Sequence, residues 1–287
     1  LLALFERHPD LSPTDVVVMT PDIEVYAPWI DAVFARVEGE ASQRYIPYGI
    51  ADCGVRYQSP VLNAFITLLG LPQSRFDVET VLSLLECQAI QHRFALDDEQ
   101  LTVIRTWLAE TQTRWALSGE DKAKFDLPET DNNTWRAGLD RLLLGFAMPL
   151  TEQGEDLRLF EQQLAFDGIS GERAATMAQL CAFVDSLDKL RNHLNRPRTA
   201  EQWQQTLNEC LDNVFLPMGN DNHDESELLL LRKTIDKLVE TTELAGFEQT
   251  LSLALVTDWL NGHLDTSQTL SRFMGHGVTF CGMVPMR

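Results

Sequence analysis

The sequence predicts an α/β unit split by a large all-α insertion. Three observations carry this. Two short β-rich runs lie in the first 71 residues, Asp15-Val16-Val17-Val18-Met19 and Tyr45-Ile46-Pro47-Tyr48-Gly49-Ile50. A third, Val278-Thr279-Phe280-Cys281-Gly282-Met283, closes the chain. Between residues 77 and 270 the apolar residues recur at helical spacing, and nothing reads as a strand. A strand that returns after roughly 200 residues implies an insertion. The expected division is an α/β unit of residues 1–71 and 272–287, with a helical domain at 72–271.

The elements follow in order. Leu1 to His8 reads as a helix end, and Pro9-Asp10-Leu11-Ser12-Pro13-Thr14 as a turn. The run at 15–19 is β-branched and bounded by turn residues, the pattern of a buried strand. Thr20-Pro21-Asp22 caps a helix in which Tyr26, Trp29, Ile30, Val33 and Phe34 recur, and Gly39 and Ser42 break it. In the run at 45–50, Pro47 implies an edge or a bulge. Ser59-Pro60 opens a helix, with Pro at its first turn and Val61, Leu62, Phe65, Ile66 and Leu69 on one face. Beyond Leu71-Pro72, helices are expected at 77–87, 97–112, 133–147, 172–194, 199–215, 225–244 and 247–260. Loops such as 118–132 and 217–224 join them, and no repeat of fixed period is present.

Composition limits function. The chain has 287 residues, is 44% hydrophobic and carries a net charge of −20. Residues 1–71 hold nine acids and four bases, a net −5, which leaves −15 for the remainder. Phosphate neutralisation needs clustered Lys and Arg, so the whole surface is not expected to grip a nucleic-acid backbone. A locally basic groove stays open, as does an acidic surface that docks on a basic partner. No run of about 18 apolar residues is present, so no transmembrane helix is expected. The start does not read as a signal peptide. The missing initiator Met, and an end straight after a strand-like run, suggest a piece of a longer protein. Five widely spaced cysteines, Cys53, Cys87, Cys181, Cys210 and Cys281, form no C-x-x-C pair. They read as reduced, mostly buried thiols of a cytoplasmic protein.

Candidate chemistry is sparse. No G-x-x-x-x-G-K-[ST] loop is present. Leu96-Asp97-Asp98-Glu99-Gln100 resembles a magnesium-holding acidic motif, but no good strand precedes it, and Asp97 capping a helix with Gln100 reaching back explains it better. His223-Asp224-Glu225 has no second ligand at helical spacing and reads as a helix start. His92, His263 and His276 are isolated. No catalytic, metal or cofactor-binding residue is assigned, and no cofactor is expected. The six tryptophans could stack on single-stranded bases. Only Arg114-Trp115 and Trp135-Arg136 pair a tryptophan with a neighbouring basic residue, and helical spacing favours core packing for most. Lys189, Arg191, Arg196 and Arg198 form one basic cluster at a helix C-terminus. It suits either the helix dipole or a phosphate or partner contact.

The two ends carry a family likeness. Residues 15–19 and the helix after them resemble the opening of the second motor domain of UvrD-type superfamily 1 helicases. Ile46-Pro47-Tyr48-Gly49-Ile50 resembles their I-P-Y-x-I segment, and residues 278–283 resemble the strand of their next motif. The departures are specific. Thr20-Pro21-Asp22 replaces an arginine-containing turn. A T-x-H-x-x-K-G-L-E type loop is replaced by Gly282-Met283-Val284-Pro285-Met286-Arg287, with Gly282 for Thr, Val284 for His and Arg287 keeping only the lysine's charge. With Tyr45-Ile46-Pro47-Tyr48, Ser74-Arg75-Phe76 and Phe215-Leu216-Pro217, this wording is similar to the RecC family, the gamma subunits of exodeoxyribonuclease V.

The resemblance implies a partial RecA-like helicase domain 2A interrupted by a mostly helical 2B domain. It implies a subunit that no longer hydrolyses ATP and is inactive alone, inside an ATP-dependent exodeoxyribonuclease. Its partners would be the beta and alpha subunits and, through the complex, double- and single-stranded DNA. The implied role is scaffolding, strand guidance and support of Chi recognition in double-strand break repair and recombination. The resemblance assigns no position of this chain to Chi reading. Two other readings stay open. A diverged but active superfamily 1 helicase would have a GKT-type loop upstream. A helical protein-binding adaptor need not place the three strand-like runs in one sheet.

Overall fold

The computed structural model describes residues 1–8, 10–34, 46–50, 59–148, 159–160, 163–169, 171–218, 222–272 and 277–283. The side chains of residues 24, 31, 172, 222, 223 and 265–272 lie outside that description. So do Tyr45, Cys53, His276 and the end of the divergent loop, residues 284–287. The chain forms two compact units, Leu1–Asn63 with Asp258–Arg287, and Ala64–Thr257.

The first unit is built on parallel strands. Helix α1 (Leu2–Arg7) leads through a 3-10 turn at Pro13–Asp15 into β1 (Val17–Thr20) and α2 (Ile23–Phe34), with β2 at Tyr48–Ile50 and β5 at Val278–Gly282. The sheet order is β1-β5-β2, and both pairings are parallel. Val18 pairs with Phe280, and Ile50 pairs with the same residue from the other side. The last strand of the chain is therefore the middle strand, and β2 with its Pro47 is an edge among the described strands. Ile23, Ala27, Ile30, Ile50, Val278 and Phe280 form the core. Phe34, Tyr48 and Phe280 meet edge-on or tilted above it, with centroids 5.2–6.4 Å apart.

One expectation changes here. The helical stripe that packs on the sheet is Ile23, Ala27, Ile30 and Phe34. Tyr26, Trp29 and Val33 point the other way and are exposed. Helix α2 is apolar around most of its circumference, so periodicity alone could not say which face turns inward.

Gly277 fits the bend before β5 because a Cβ there would fall on the Pro47 carbonyl and the Tyr48 amide nitrogen. Val278 N donates to Pro47 O at 2.8 Å across that approach. Gly277→Ala is expected to force β2 and β5 apart and cost about 1–3 kcal/mol. Faster hydrogen exchange at the Val278 amide, with a lower urea midpoint, would show it; an unchanged midpoint would count against the close approach.

The second unit is helical. It contains most of α3 (Pro60–Gly70), then α4 (Val78–Leu84), α5 (Gln88–Arg93), α6 (Asp98–Glu110), α7 (Gly119–Ala123) and α8 (Trp135–Ala147). Helices α9 (Glu172–Leu194), α10 (Ala200–Val214) and α11 (Asn222–Leu244) follow, with the first turn of α12 (Leu253–Arg272). Side-chain caps set several starts. Asp77 accepts from Thr80 N, Thr134 accepts from Ala137 N, and Asp97/Gln100 and Thr199/Gln202 close capping boxes.

Three expectations are corrected. The helix expected at 77–87 ends at Leu84, where the chain turns at Leu85, and a further helix, α5, which was not expected, begins after Cys87. A two-residue antiparallel pair, β3 (Leu159–Phe160) with β4 (Gln163–Leu164), lies where no strand was expected. The helix expected from Phe247 starts at Leu253. Gly246 at φ +61 ends α11, and Leu251 is held extended by a two-way backbone bridge to Arg198. Trp203 Nε1 also donates to the Leu251 carbonyl, at 2.9 Å. A helix through Leu251 would break all three bonds.

Candidate nucleic-acid interface

The basic cluster at the end of α9 does not form one patch. Lys189 is exposed, pairs with Asp185 at 3.1 Å, and lines a cleft of about 560 Å³ together with Arg93 and His193. Arg191 turns inward. Its guanidinium meets both carboxylate oxygens of Asp121 at 3.0 and 3.1 Å and lies 5.7 Å from the Phe76 ring centre. Arg198 closes the helix end, donating to the carbonyls of His193 and Arg196 and lying over Trp203. Burial lowers the pKa of Arg198, with Arg196 adding repulsion and Glu209 opposing both. Arg196 is exposed. Lys189 and Arg196 therefore offer open charge, while Arg191 and Arg198 are held by the fold.

A second basic site is assembled from residues far apart in sequence. Arg75, Arg105 and Arg114 line a cleft of about 640 Å³ with Trp115 on its wall. Backbone hydrogen bonds knit the flanking segments together. Val78 N donates to Arg114 O, Ala116 N to Arg75 O, Arg114 N to Asn133 O and Trp135 N to Ala116 O, all at 2.9–3.0 Å. Phe76, Gln112, Ala116 and Asn133 all adopt positive φ, which folds the segments back on themselves. Arg105 pairs with Glu86, and Arg114 reaches Gln112. Arg75 lies 5.4 Å from the Phe125 ring centre, and the Phe125 ring meets Trp115 edge-on. The sequence signalled only Arg114-Trp115. Arg75 and Arg105 were illegible because a loop bond and a helix bring them there.

The other aromatic and sulfur groups divide by burial. Trp107, Trp135 and Trp203 are core residues, and Trp29 is exposed. Burial pushes the Cys87 thiol up to about 11 and that of Cys210 up to about 12, so both stay protonated at neutral pH. Asp97 caps α6 with Gln100, and Asp224 and Glu225 lie in the first turn of α11.

Residues 58–268 match the family model described as RecBCD enzyme subunit RecC fourth domain. Over its whole length the chain is 36% identical to the RecBCD enzyme subunit RecC of Escherichia coli (strain K12), covering 25% of that protein. It is 31% identical to the RecC subunit of Haemophilus influenzae and 30% identical to that of Mycobacterium tuberculosis (strain CDC 1551 / Oshkosh), again over the whole chain, covering 24% and 26% of them. The chain spans about a quarter of the length of the curated relatives it matches. A family match across most of the chain, flanked by strands that share one sheet, leads to one conclusion: the chain belongs to the RecC family.

Proposed function

We propose that this chain is a non-catalytic part of a RecC-type subunit of the RecBCD complex, exodeoxyribonuclease V, acting in double-strand break repair and recombination. In this reading, residues 1–71 and 272–287 are a partial RecA-like 2A domain and 72–271 a 2B domain. The chain scaffolds the beta and alpha subunits, guides DNA strands and supports Chi recognition in the cytoplasm. Lys189 and Arg196, the open charges of the α9 cluster, contact a strand or a partner. Arg191 and Arg198 hold the fold around them.

One observation carries the scaffolding role. The outward face of α2 presents Val25, Tyr26, Trp29 and Val33, with Trp29 71% and Val33 75% exposed. Such a stripe of apolar and aromatic side chains marks a protein-docking surface. The acids Asp22, Glu24 and Asp31 occur in or beside α2, and no base lies between residues 10 and 34, so the face suits a protein rather than a phosphate backbone. The three strand-like runs share one sheet, which a free-standing helical adaptor does not need.

The test is assembly. In the full-length subunit, Trp29→Glu with Val33→Glu should weaken co-purification with the beta and alpha subunits by tenfold or more, about 1.4 kcal/mol or above. The melting temperature of the subunit alone should not move. A drop in that temperature with assembly intact would mean that the subunit's own chain covers the face. DNA-stimulated ATP hydrolysis that survived repurification would favour the diverged-helicase reading instead.

A further inference from the structure

We propose that the cleft lined by Arg75, Arg105, Arg114 and Trp115 binds a segment of single-stranded nucleic acid, with phosphates on the guanidinium groups and a base against Trp115. The inference rests on the strand-guiding role proposed above and gives that role a site.

Charge is the first argument. The chain is strongly acidic, yet three guanidiniums converge on this cleft from separate elements. The carboxylates beside it are Asp77, Glu79 and Glu86. Asp77 accepts from Thr80 N and Thr80 Oγ1 at 2.9 Å and is held as the cap of α4. Glu86 is engaged with Arg105 in an exposed pair, which is weak and exchanges readily for a phosphate. Glu79 stands exposed on the rim.

Shape and chemistry select the ligand. Trp115 is half-buried, with the Lys122 ammonium 5.6 Å from its ring centre. Aromatic walls beside guanidinium groups are how sequence-tolerant sites hold unpaired bases. A concave wall can take a splayed base, whereas a base inside a duplex keeps its faces stacked on its neighbours. The platform is also preorganised. Its backbone bonds tie residues 75–78 to 114–116 and then to 133–135, so little ordering is needed on binding.

The experiment is a fluorescence-anisotropy titration of the chain with a short labelled oligothymidylate at several salt concentrations. Binding should weaken as salt rises. Replacing all three arginines (Arg75→Gln, Arg105→Gln, Arg114→Gln) should flatten the slope of log K against log salt by about two, at about 0.7 per single-strand phosphate contact. Trp115→Leu should weaken binding about 5- to 100-fold with the slope kept, the loss expected for one stacked base. Circular-dichroism melts check that each variant is folded, and Trp115→Phe should recover part of the loss. Lys233→Gln with Lys237→Gln, two exposed lysines of α11, should leave oligothymidylate binding intact. An unchanged slope in the triple variant would overturn the proposal. So would tighter binding of a labelled poly-glutamate peptide than of the oligonucleotide, which would make this an acidic-peptide site. Neither result would touch subunit assembly, which tests the scaffolding role separately.

Discussion

Asp121→Ala is expected to lower the stability of the helical unit by about 3–5 kcal/mol, the cost of removing one partner from a buried ion pair. The Asp121 side chain is 7% exposed and that of Arg191 14%. With Asp121 gone, the Arg191 guanidinium keeps, among the described residues, Asp188 at 3.2 Å on its own helix and the Phe76 ring. The Leu117 amide also loses its acceptor. Lys124, by contrast, reaches Asp121 from an exposed position, so Lys124→Ala should cost less than about 1 kcal/mol. Asp121→Leu combined with Arg191→Met should restore much of the loss, because two apolar groups leave no buried charge unpaired. Urea unfolding followed by circular dichroism gives all three values. An Asp121→Ala cost near that of Lys124→Ala would show that solvent reaches the pair.

The same pair makes the unit acid-sensitive. Burial on its own would raise the pKa of Asp121. Hydrogen bonds and attraction from Arg191 and Lys124 outweigh that and hold the carboxyl below its ordinary 3.8. The unfolded chain therefore binds the proton more readily than the folded one. The stabilisation is complete above pH 3.8 and is lost as pH falls through the lower, folded value. Arg191→Met should shift the acid-unfolding midpoint upward.

How much of this was legible in the sequence depends on whether the signal was local. The strands at 17–20, 48–50 and 278–282 were legible as β-branched or aromatic runs between turn residues, and their sharing of one sheet followed from the helical stretch between them. Capping by Asp97 was legible because a cap is decided within four residues. The inward face of α2 was not, because both sides of that helix are apolar and only the sheet decides between them. The start of α12 was not, because Leu251 answers to Arg198 and Trp203 across the fold. The basic cluster was legible as charge near a helix end. Arg191 was not legible as a core residue, because its partner Asp121 lies 70 positions earlier in the short helix α7.

Trp135→Ala is expected to cost about 3–5 kcal/mol, and the way it combines with Asp121→Ala tests whether the arginine cleft has a single foundation. Trp135 is fully buried at the start of α8 and meets the Phe76 ring edge-on at 6.2 Å. Its Nε1 donates to the Phe76 carbonyl at 2.9 Å. Phe76 sits at φ +55, a conformation costing a bulky residue about 1–3 kcal/mol unless its surroundings impose it. They do so on three sides: Trp135 from the carbonyl and one edge of the ring, Ser74 Oγ at the amide, and the Arg191 guanidinium near the ring. Trp135→Phe keeps most of the packing and removes only the donor, so it should cost about 1–3 kcal/mol, the usual price of a buried polar group left without its partner. Trp135 and Asp121 both act on Phe76, Trp135 directly and Asp121 through Arg191. Their double variant should therefore fall short of additivity by about 0.5–3 kcal/mol. Additive losses would mean that the two act on separate parts of the helical unit. Arg75, adjacent to Phe76 in sequence, should be mispositioned in Trp135→Ala, which ought to weaken oligothymidylate binding even at temperatures where the variant remains folded.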